Sequence, residues 1–270
     1  MPELPEVETI KNCLLPQVRG RCFTGVTLLW PGLVRQPSPE EFCNRLSGQQ
    51  IEDIQRRGKY LIFRLSQGDR LVLHLKMTGV LLLQPSSAPA QPHTRAVFHL
   101  GKEANIHFWD QRKFGAAWLV GDELTVVGNL GPEPLDERFT PEVLGKILSR
   151  HNMPLKALLL EQNIIAGIGN MYADEALFAA RISPLKSGHD LTEEETKRLH
   201  QAIREVLSAA IQHSGASVDT YKQPDGELGT AHLFFQVAHR RGERCRNCHA
   251  AIQRTTVRGR GTYFCPVCQR

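Results

Sequence analysis

The chain has 270 residues, of which 41% are hydrophobic and 23% are charged. This composition is typical of globular proteins and supplies apolar side chains for one large core or two medium ones. No apolar run approaches the length of a membrane span and no signal peptide opens the chain, so we expect a soluble intracellular protein without a membrane partner. The formal net charge of +5 permits a polyanionic partner but does not require one.

The first eight residues, MPELPEVE, combine a proline with closely spaced carboxylates. Removal of Met1 frees the secondary amine of Pro2, and because an α-amino group titrates near ~8, part of it is an unprotonated nucleophile at neutral pH. Glu3 and Glu6 then offer a proton donor and a proton acceptor for Schiff-base chemistry. The same stretch is also an ordinary helix start, with Pro5 at the first helical position. Both interpretations stay open on these residues alone.

The N-terminal half is predicted to contain two helices and many short strands. Apolar residues recur at helical spacing at Val7, Ile10, Leu14 and Val18, which predicts a helix that bends or ends before Pro16. The capping box Ser38–Glu41 predicts a short helix to about Leu46. Short strand-like runs, which indicate a β-sandwich or barrel, cover 21–29, 51–55, 60–65, 71–76, 80–83, 96–100, 105–109 and 116–120.

The pattern changes at 128–134, where glycine and proline cluster, and we place a linker at 131–134. Helices are predicted from Thr140, over 153–160 and 170–180, and from the capping box at Thr192 to about His213. Residues 214–239 are polar and contain glycine, which predicts a mobile loop. The predicted domains are therefore 1–130, 135–238 for the helical part and 239–270 for the cysteine-rich end.

The last thirty residues contain two C-x2-C pairs separated by sixteen residues: Cys245, Cys248, Cys265 and Cys268. A redox site needs only one such pair and a disulfide framework is typical of secreted proteins, so this spacing predicts one structural Zn²⁺ in a four-cysteine ribbon. The hairpin between the pairs carries Arg254, Arg258 and Arg260. It is either a solvated basic face or a tip that binds nucleic-acid phosphates.

Three other motifs each have an ordinary and a functional interpretation. The glycine-rich stretch 164–170 is either a helix–helix turn or an anion site at a helix N-terminus. The stretch 110–115 is either a plain hairpin or a turn whose Phe114 enters a base stack while Arg112 contacts a base. Lys59, in the stretch 57–60, is either a surface charge or a phosphate ligand.

Together these motifs make the whole chain resemble the Fpg/Nei family of DNA glycosylases. The resemblance is carried by PELPEVE, RRGKYL, HLKMTG, DQRKFG, GIGNMYADEAL and the terminal CxxC…GRGTYFCPVC. Leu4 favours the oxidised-purine branch, since the endonuclease VIII branch looks like PEGPE at this position. The resemblance implies an α+β fold in two domains: an N-terminal β-sandwich flanked by helices, then a helix–two-turn–helix domain with a four-cysteine zinc-finger hairpin.

The resemblance also implies roles for single residues. Pro2 matches the family nucleophile, Glu3 the acid that assists ribose opening, and Glu6 a supporting carboxylate. Lys59 matches a lysine that contacts phosphate and handles protons, and Arg260 a phosphate-gripping residue of the catalytic set. The remaining matches are to DNA-binding residues: His93, Lys156 and Asn170, with Met77, Arg112 and Phe114 filling the space left by an extruded base.

The chain departs from the family pattern at a few positions. Arg95 stands where the family often has a second histidine, His239 stands where glycine is usual, and Lys76 replaces a smaller residue. Residues 217–232 match the family's base-capping loop poorly. These departures leave the catalytic assignment unchanged and bear on lesion preference.

The resemblance implies a bifunctional DNA glycosylase and AP lyase of base excision repair, which excises 8-oxoguanine and formamidopyrimidines through a Schiff base at Pro2 followed by β,δ-elimination. The expected partner is double-stranded DNA containing oxidised bases or abasic sites. We expect a monomer in the bacterial cytoplasm, associated with the nucleoid through DNA binding. Two alternatives are an endonuclease VIII-like enzyme acting on oxidised pyrimidines and a non-catalytic zinc-ribbon DNA-binding protein.

Overall fold

A computed structural model describes every residue from Met1 to Arg270, and the chain forms two compact units. The first unit contains Met1–Asn129 together with His213–Thr230, and the second contains Leu130–Gln212 together with Ala231–Arg270. The first change of unit lies next to the predicted linker. Residues 213–230, assigned from the sequence to the helical domain, group instead with the first unit; they are called the return segment below.

Nine strands of the first unit form two sheets. They are β1 (Gly25–Leu28), β2 (Val34–Gln36), β3 (Ile51–Arg57), β4 (Tyr60–Leu65), β5 (Arg70–His74), β6 (Val80–Pro85), β7 (Thr94–His99), β8 (Ala104–Trp109) and β9 (Ala116–Val120). One sheet has the order β2-β9-β5-β4-β3 and the other has the order β1-β7-β8-β6. All neighbouring strands are antiparallel except β2 and β9.

The core of the first unit contains side chains from both sheets. Leu61 and Phe63 of β4 are buried in it together with Phe98 of β7 and Phe108 of β8. The ring of Phe23 lies 6.5 Å from that of Phe63 and 6.1 Å from that of Phe98. Because side chains alternate between the faces of a strand, every second residue can reach this shared core. The predicted β-sandwich is confirmed.

Helix α1 (Leu4–Val18) packs one apolar face against this core. Of the two predicted outcomes, an end before Pro16 is wrong, because the helix continues through the proline to Val18. A proline costs most in a helix interior, where it removes a hydrogen bond and clashes with the preceding turn. Here it lies in the last turn, and the fully enclosed Val18 side chain stabilises the helix beyond it.

Two short helices complete the first unit. Helix α2 (Pro39–Leu46) begins at the predicted capping box, where the Ser38 hydroxyl accepts the N–H of Glu41 at 3.3 Å. Helix α3 (Leu124–Val127) is a single turn near the end of the unit. The predicted α2 is therefore confirmed, and its cap is the one the sequence indicated.

The second unit is built from four helices and one hairpin. The helices are α4 (Pro141–Leu148), α5 (Leu155–Leu160), α6 (Asn170–Ala179) and α7 (Glu193–Gln212), and the hairpin strands are β10 (Gln253–Val257) and β11 (Arg260–Phe264). All four predicted helices are confirmed. None of the helices in the chain combines the length and the apolarity needed to span a membrane.

The cysteine-rich hairpin shares a small core with the rest of the second unit. Phe178 of α6 packs with Val237, Ile252 and the buried Cys245 and Cys265. Few apolar side chains contribute, so burial alone supplies little stability to this module. The hairpin therefore needs both its neighbour α6 and its cysteines to hold its shape.

Candidate active site and nucleic-acid interface

The N-terminal residues lie at the start of α1 with their carboxylates buried. Glu3 is 2% exposed, Glu6 is fully enclosed and Pro2 is buried. The N–H of Glu3 donates to Oε2 of Glu6 at 2.7 Å and so closes a capping box. A buried carboxylate is costly unless it accepts hydrogen bonds. The helix-start and catalytic interpretations are therefore compatible, since the capping box also fixes the backbone next to Pro2.

The other carboxylate oxygen of Glu6 binds the return segment. Oε1 accepts the N–H of Ala216 at 2.8 Å. Gly215 has φ +75°, and a Cβ there would lie 2.9 Å from Oε1 of Glu6, so only glycine fits this position. The Tyr221 hydroxyl donates to the backbone oxygen of Ser214 at 3.1 Å. One side chain thus joins the N-terminal residues to the return segment.

Lys59 lies in a tight turn between β3 and β4 and is 6% exposed. Gly58 before it has φ +55°. Burial first, and then the charges of Lys76 and Lys59, lower the pKa of His74 to about 3. Nδ1 of His74 accepts the backbone N–H of Lys76 at 2.9 Å. A neutral imidazole thus lies in the field of two ammonium groups, which is a positive environment suited to a phosphate.

The resemblance implies that Met77, Arg112 and Phe114 fill the space left by an extruded base. These three side chains lie together in the first unit and are called the wedge triad below. The guanidinium carbon of Arg112 lies 4.6 Å from the ring centre of Phe114, and Nη1 of Arg112 lies 3.5 Å from Sδ of Met77. Met77 is 38% exposed and Phe114 is 45% exposed. An exposed, mutually packed aromatic, thioether and cation can enter a base stack as one body.

The turn that carries two members of the triad, Asp110–Gly115, is organised by the buried Asp110; it is called the wedge turn below. Oδ1 of Asp110 accepts the hydroxyl of Thr78 and, at 3.2 Å, the N–H of Arg112. Oδ2 accepts the N–H of Gly115 at 2.7 Å. A Cβ at Gly115 would lie 2.6 Å from the ring of Phe108. The turn is therefore shaped before any ligand binds.

His93 lies beside the wedge turn. Its backbone oxygen accepts the N–H of Asp110 at 3.0 Å, and its ring meets that of Trp109 edge-on at 5.7 Å. The side chain is exposed. The residue has φ +73°, an uncommon conformation for a non-glycine residue. The structure thus brings this predicted DNA ligand next to the wedge triad.

In the second unit the side chain of Lys156 is fully buried. Its Nζ lies 2.6 Å from Oδ1 of Asp174 and 2.5 Å from the backbone oxygen of Asn170. Burial raises the pKa of Asp174 to about 6, although the Lys156 ammonium acts in the opposite direction. This predicted phosphate ligand is thus held by an enclosed ion pair.

Helix α6 holds the hairpin strand β11 on both sides of Thr262. Nδ2 of Asn170 donates to the backbone oxygen of Gly261 at 2.9 Å, and Oδ2 of Asp174 accepts the N–H of Tyr263 at 3.0 Å. Arg260, at the start of β11, is exposed and follows the turn. Lys156 and Asn170 are therefore parts of one hydrogen-bonded arrangement that holds β11, and Arg260 lies at the start of this strand with its side chain exposed.

The four C-terminal cysteines form a cluster of the size that a metal ion needs. Their Sγ atoms all lie within 4.8 Å of one another. The Cys245–Cys268 distance is 3.8 Å and the Cys248–Cys265 distance is 3.4 Å. A tetrahedral zinc site with Zn–S bonds of about 2.3 Å places its sulfurs about 3.8 Å apart. The cluster fits the predicted structural Zn²⁺.

The substitution Cys265→Ser is expected to lower zinc affinity by more than about 100-fold. Loss of a group that only hydrogen-bonds to a metal ligand already costs about 10- to 100-fold, and loss of the ligand itself costs more. DNA affinity should fall with it, since the hairpin core is too small to fold without its ion. Metal content and DNA binding measure both effects. All three tryptophans, Trp30, Trp109 and Trp118, belong to the first unit, so their fluorescence should stay native. Stoichiometric zinc in the variant, or full DNA affinity without metal, would contradict this expectation.

Two buried acids of α6 that position the site were not predicted from the sequence. Asp174 was overlooked, and so was Glu175, whose Oε1 accepts the N–H groups of Val237 at 2.9 Å and Ala238 at 2.8 Å where the chain enters the zinc module. Burial raises the pKa of the Glu175 carboxyl. A signal was present, because two adjacent acids in the otherwise apolar helix 170–179 are unusual for a buried helix.

Three family models match the chain in succession. The formamidopyrimidine-DNA glycosylase N-terminal domain matches residues 1–117 and the formamidopyrimidine-DNA glycosylase H2TH domain matches residues 130–222. A zinc finger found in FPG and IleRS matches residues 242–270. The last match covers all four clustered cysteines, and a structural zinc ion is thus supported by sequence and geometry together.

Full-length relatives are similar over the whole chain. The formamidopyrimidine-DNA glycosylase of Pelotomaculum thermopropionicum is 42% identical over 274 residues, which cover 100% of this chain and 99% of the relative. The crystal structure of MutM (FPG) from Thermus thermophilus has a TM-score of 0.90 at 42% identity, covering 99% of this chain and 98% of that one. A Lactococcus lactis FPG mutant in complex with a Fapy-dG containing DNA has a TM-score of 0.94 at 36% identity, covering 100% of both chains.

Proposed function

Because the chain belongs to the formamidopyrimidine-DNA glycosylase family, we propose that it is a bifunctional DNA glycosylase and AP lyase of base excision repair. The proposed substrates are double-stranded DNA with oxidised purines, such as 8-oxoguanine and formamidopyrimidines, or with abasic sites. The observation that carries the proposal is the N-terminus, where Pro2 adjoins a capping box that buries Glu3 and Glu6. This arrangement supplies a nucleophile, a proton donor and a proton acceptor.

In the proposed reaction the damaged nucleotide is extruded and the nitrogen of Pro2, freed by removal of Met1, attacks C1′. The new C1′–N bond forms as the bond to the damaged base breaks, and the base leaves with that electron pair. Glu3 gives a proton to the ring oxygen as the sugar ring opens. The attacking nitrogen passes its N–H proton to the base that left with the electron pair, and its restored lone pair then expels the protonated ring oxygen to form the iminium ion between Pro2 and C1′.

Strand cleavage follows from the electron demand of the iminium ion. It acidifies the C2′ hydrogen, and loss of that proton expels the 3′ phosphate by β-elimination. Loss of a further proton expels the 5′ phosphate by δ-elimination, and water then releases the sugar fragment and regenerates the Pro2 amine. Glu3, which gave up its proton during ring opening, is the proposed acceptor of the C2′ proton, and once it has passed that proton to solvent it can accept the second one.

Cationic and polar groups of each unit are proposed to hold the DNA. Lys59 and His93 in the first unit, and Lys156, Asn170 and Arg260 in the second, are the proposed phosphate ligands. The wedge triad is proposed to fill the place of the extruded base, which offsets part of the few kcal/mol that unstacking costs. The exposure of Met77 and Phe114, and the hydrogen bonds that shape the wedge turn in advance, support this role.

The return segment is proposed to cap the extruded base. Beyond its contact with Glu6, the backbone oxygen of Pro224 accepts the N–H of Leu83 at 2.8 Å, and Oε1 of Gln223 lies 3.5 Å from the thiol of Cys13. The segment is therefore anchored to a sheet edge and to α1 within the same unit that contains Pro2. This packing supports a role beside the nucleophile.

The bacterial origin of the relatives supports action in the cytoplasm on nucleoid DNA, and we propose that the chain works as a monomer. Borohydride trapping tests the proposed activity. The protein is incubated with duplexes containing 8-oxoguanine, an oxidised pyrimidine or no lesion, and we expect a covalent adduct chiefly with the first. Stronger trapping on the pyrimidine duplex would favour an endonuclease VIII-like enzyme. No adduct with any duplex would favour a non-catalytic DNA-binding protein.

Arg260→Ala is expected to lose roughly 2–3 kcal/mol of DNA binding, because an exposed guanidinium can grip a phosphate through two charge-assisted hydrogen bonds. The slope of binding against salt should fall by about one unit. Cleavage of an abasic site should also slow, since phosphate positioning precedes base recognition. Gln223→Ala is the contrasting variant, expected to impair 8-oxoguanine excision but to spare abasic-site cleavage. An unchanged salt slope with intact abasic-site cleavage would make Arg260 a solvated surface charge.

A further inference from the structure

Arg95 occupies an irregular position in the second sheet. The register of β7 on β8 shifts between Thr94 and Ala96, so Arg95 is the extra residue of a β-bulge. Its backbone oxygen accepts the N–H groups of Leu29 at 2.9 Å and Trp30 at 3.0 Å. A bulge redirects a side chain from the regular strand direction. Here the two backbone hydrogen bonds fix that new direction.

The Arg95 side chain reaches the wedge turn. Nε donates to the backbone oxygen of Asp110 at 2.7 Å, and Nη2 donates to that of Gln111 at 3.2 Å. Nη2 also lies 3.3 Å from Nδ1 of His93. A guanidinium can only donate, so Nδ1 of His93 must accept, and the proton of the neutral ring is on Nε2. One side chain thus contacts the wedge turn and a proposed DNA ligand.

The wedge turn needs support from outside. Lys113, between the two turn members of the wedge triad, has φ +59°, which is costly for a residue with a Cβ. The buried carboxylate of Asp110 holds the N–H groups of the turn. Arg95 holds two carbonyl oxygens of the same turn. The two groups together satisfy donors and acceptors of a conformation that is strained on its own.

We infer that Arg95 is a positioning residue for the wedge triad and for His93. It acts by fixing the wedge turn in the conformation that presents Arg112 and Phe114, and by leaving the N–H at Nε2 of His93 as the donor for a DNA phosphate. The inference rests on the proposed function of the wedge triad. It goes beyond that proposal because Arg95, which is not part of the triad, determines how fast the triad enters the base stack.

The test measures wedge insertion and lyase chemistry separately. A duplex carries 8-oxoguanine with the fluorescent base 2-aminopurine next to it. After rapid mixing with the protein, the change in 2-aminopurine fluorescence reports local unstacking. Arg95→Gln is expected to slow the fluorescence change on the order of ten-fold, since small misplacements of a positioned group cost factors of this size or more. Borohydride trapping on a single-stranded abasic oligonucleotide, which has no opposite base to replace, should keep the wild-type rate. Arg21→Gln is the matched control, because it removes a cation of the same unit that pairs with Glu103 at 3.0 Å.

Arg95→Lys separates positioning from simple charge. If Arg95 positions the turn, the lysine variant should be slowed about as much as Arg95→Gln, with an unchanged salt slope, because an ammonium cannot bridge the same acceptors. Wild-type insertion in either variant, or a lysine variant that restores insertion while Arg95→Gln only lowers the salt slope by about one unit, would overturn the inference. Native tryptophan fluorescence of each variant checks the fold. Failure of the wild-type protein to trap any abasic DNA would instead contradict the proposed function.

Discussion

A chain that keeps an extra residue in front of Pro2 is expected to form no borohydride-trapped adduct with an 8-oxoguanine or abasic duplex. The extra residue converts the Pro2 nitrogen into an amide, whose lone pair is delocalised into the carbonyl and cannot attack C1′. Strand cleavage should fall by about 10⁴-fold or more, the scale on which removal of a catalytic nucleophile acts. Affinity for the lesion duplex should change little, because the proposed phosphate ligands are untouched.

Two further variants sharpen this test. Pro2→Gly is expected to lose the adduct as well, because its amine is carried by a flexible residue and is no longer held in place next to the capping box. Lys59→Ala, which removes an ammonium but keeps the terminal amine, should still be trapped. Undiminished trapping by the chain that keeps a residue in front of Pro2 would show that a lysine is the nucleophile. If the Lys59→Ala form of that chain then lost the adduct, Lys59 would be this lysine.

The second large effect is expected from Asp174→Ala, which should destabilise the second unit by about 3–5 kcal/mol, because it leaves the Lys156 ammonium buried without its counter-charge. The substitution also removes the acceptor for the N–H of Tyr263 in the zinc hairpin. Urea unfolding of the full chain measures the effect. Helix α7, which has 20 residues, belongs to the second unit, so the far-UV circular dichroism signal contains the transition of that unit.

The tryptophans provide an internal control, since all three lie in the first unit and their transition should not move. The double variant Lys156→Met/Asp174→Leu should recover much of the lost stability, because replacing both members of a buried ion pair by apolar groups is often nearly neutral. It should not recover DNA affinity if Lys156 contributes to phosphate binding. Equal stability of Asp174→Ala and the wild-type protein would show that the ion pair does not hold the second unit together.

Local patterns in the sequence were sufficient to predict most elements and the motif residues. Strand alternation located β3 to β9, and capping boxes located α2 and α7, because these signals come from residues within a few positions of one another. The C-x2-C spacing likewise predicted the cluster now seen with all Sγ atoms within 4.8 Å, since each pair spans a single turn. Pro16 was the exception, because the burial of Val18 is a tertiary contact that local propensity does not include.

The groups that support those motifs could be identified only from the folded structure. Glu6 meets Ala216 across 210 residues of sequence, and Asp174 meets Tyr263 across 89. Arg95 meets the wedge turn only because β7 and β8 pair with a bulge at that residue. The motifs themselves were determined by the sequence. Their supports were decided by the fold, because burying a polar group requires partners that strand pairing and helix packing bring together from distant parts of the chain.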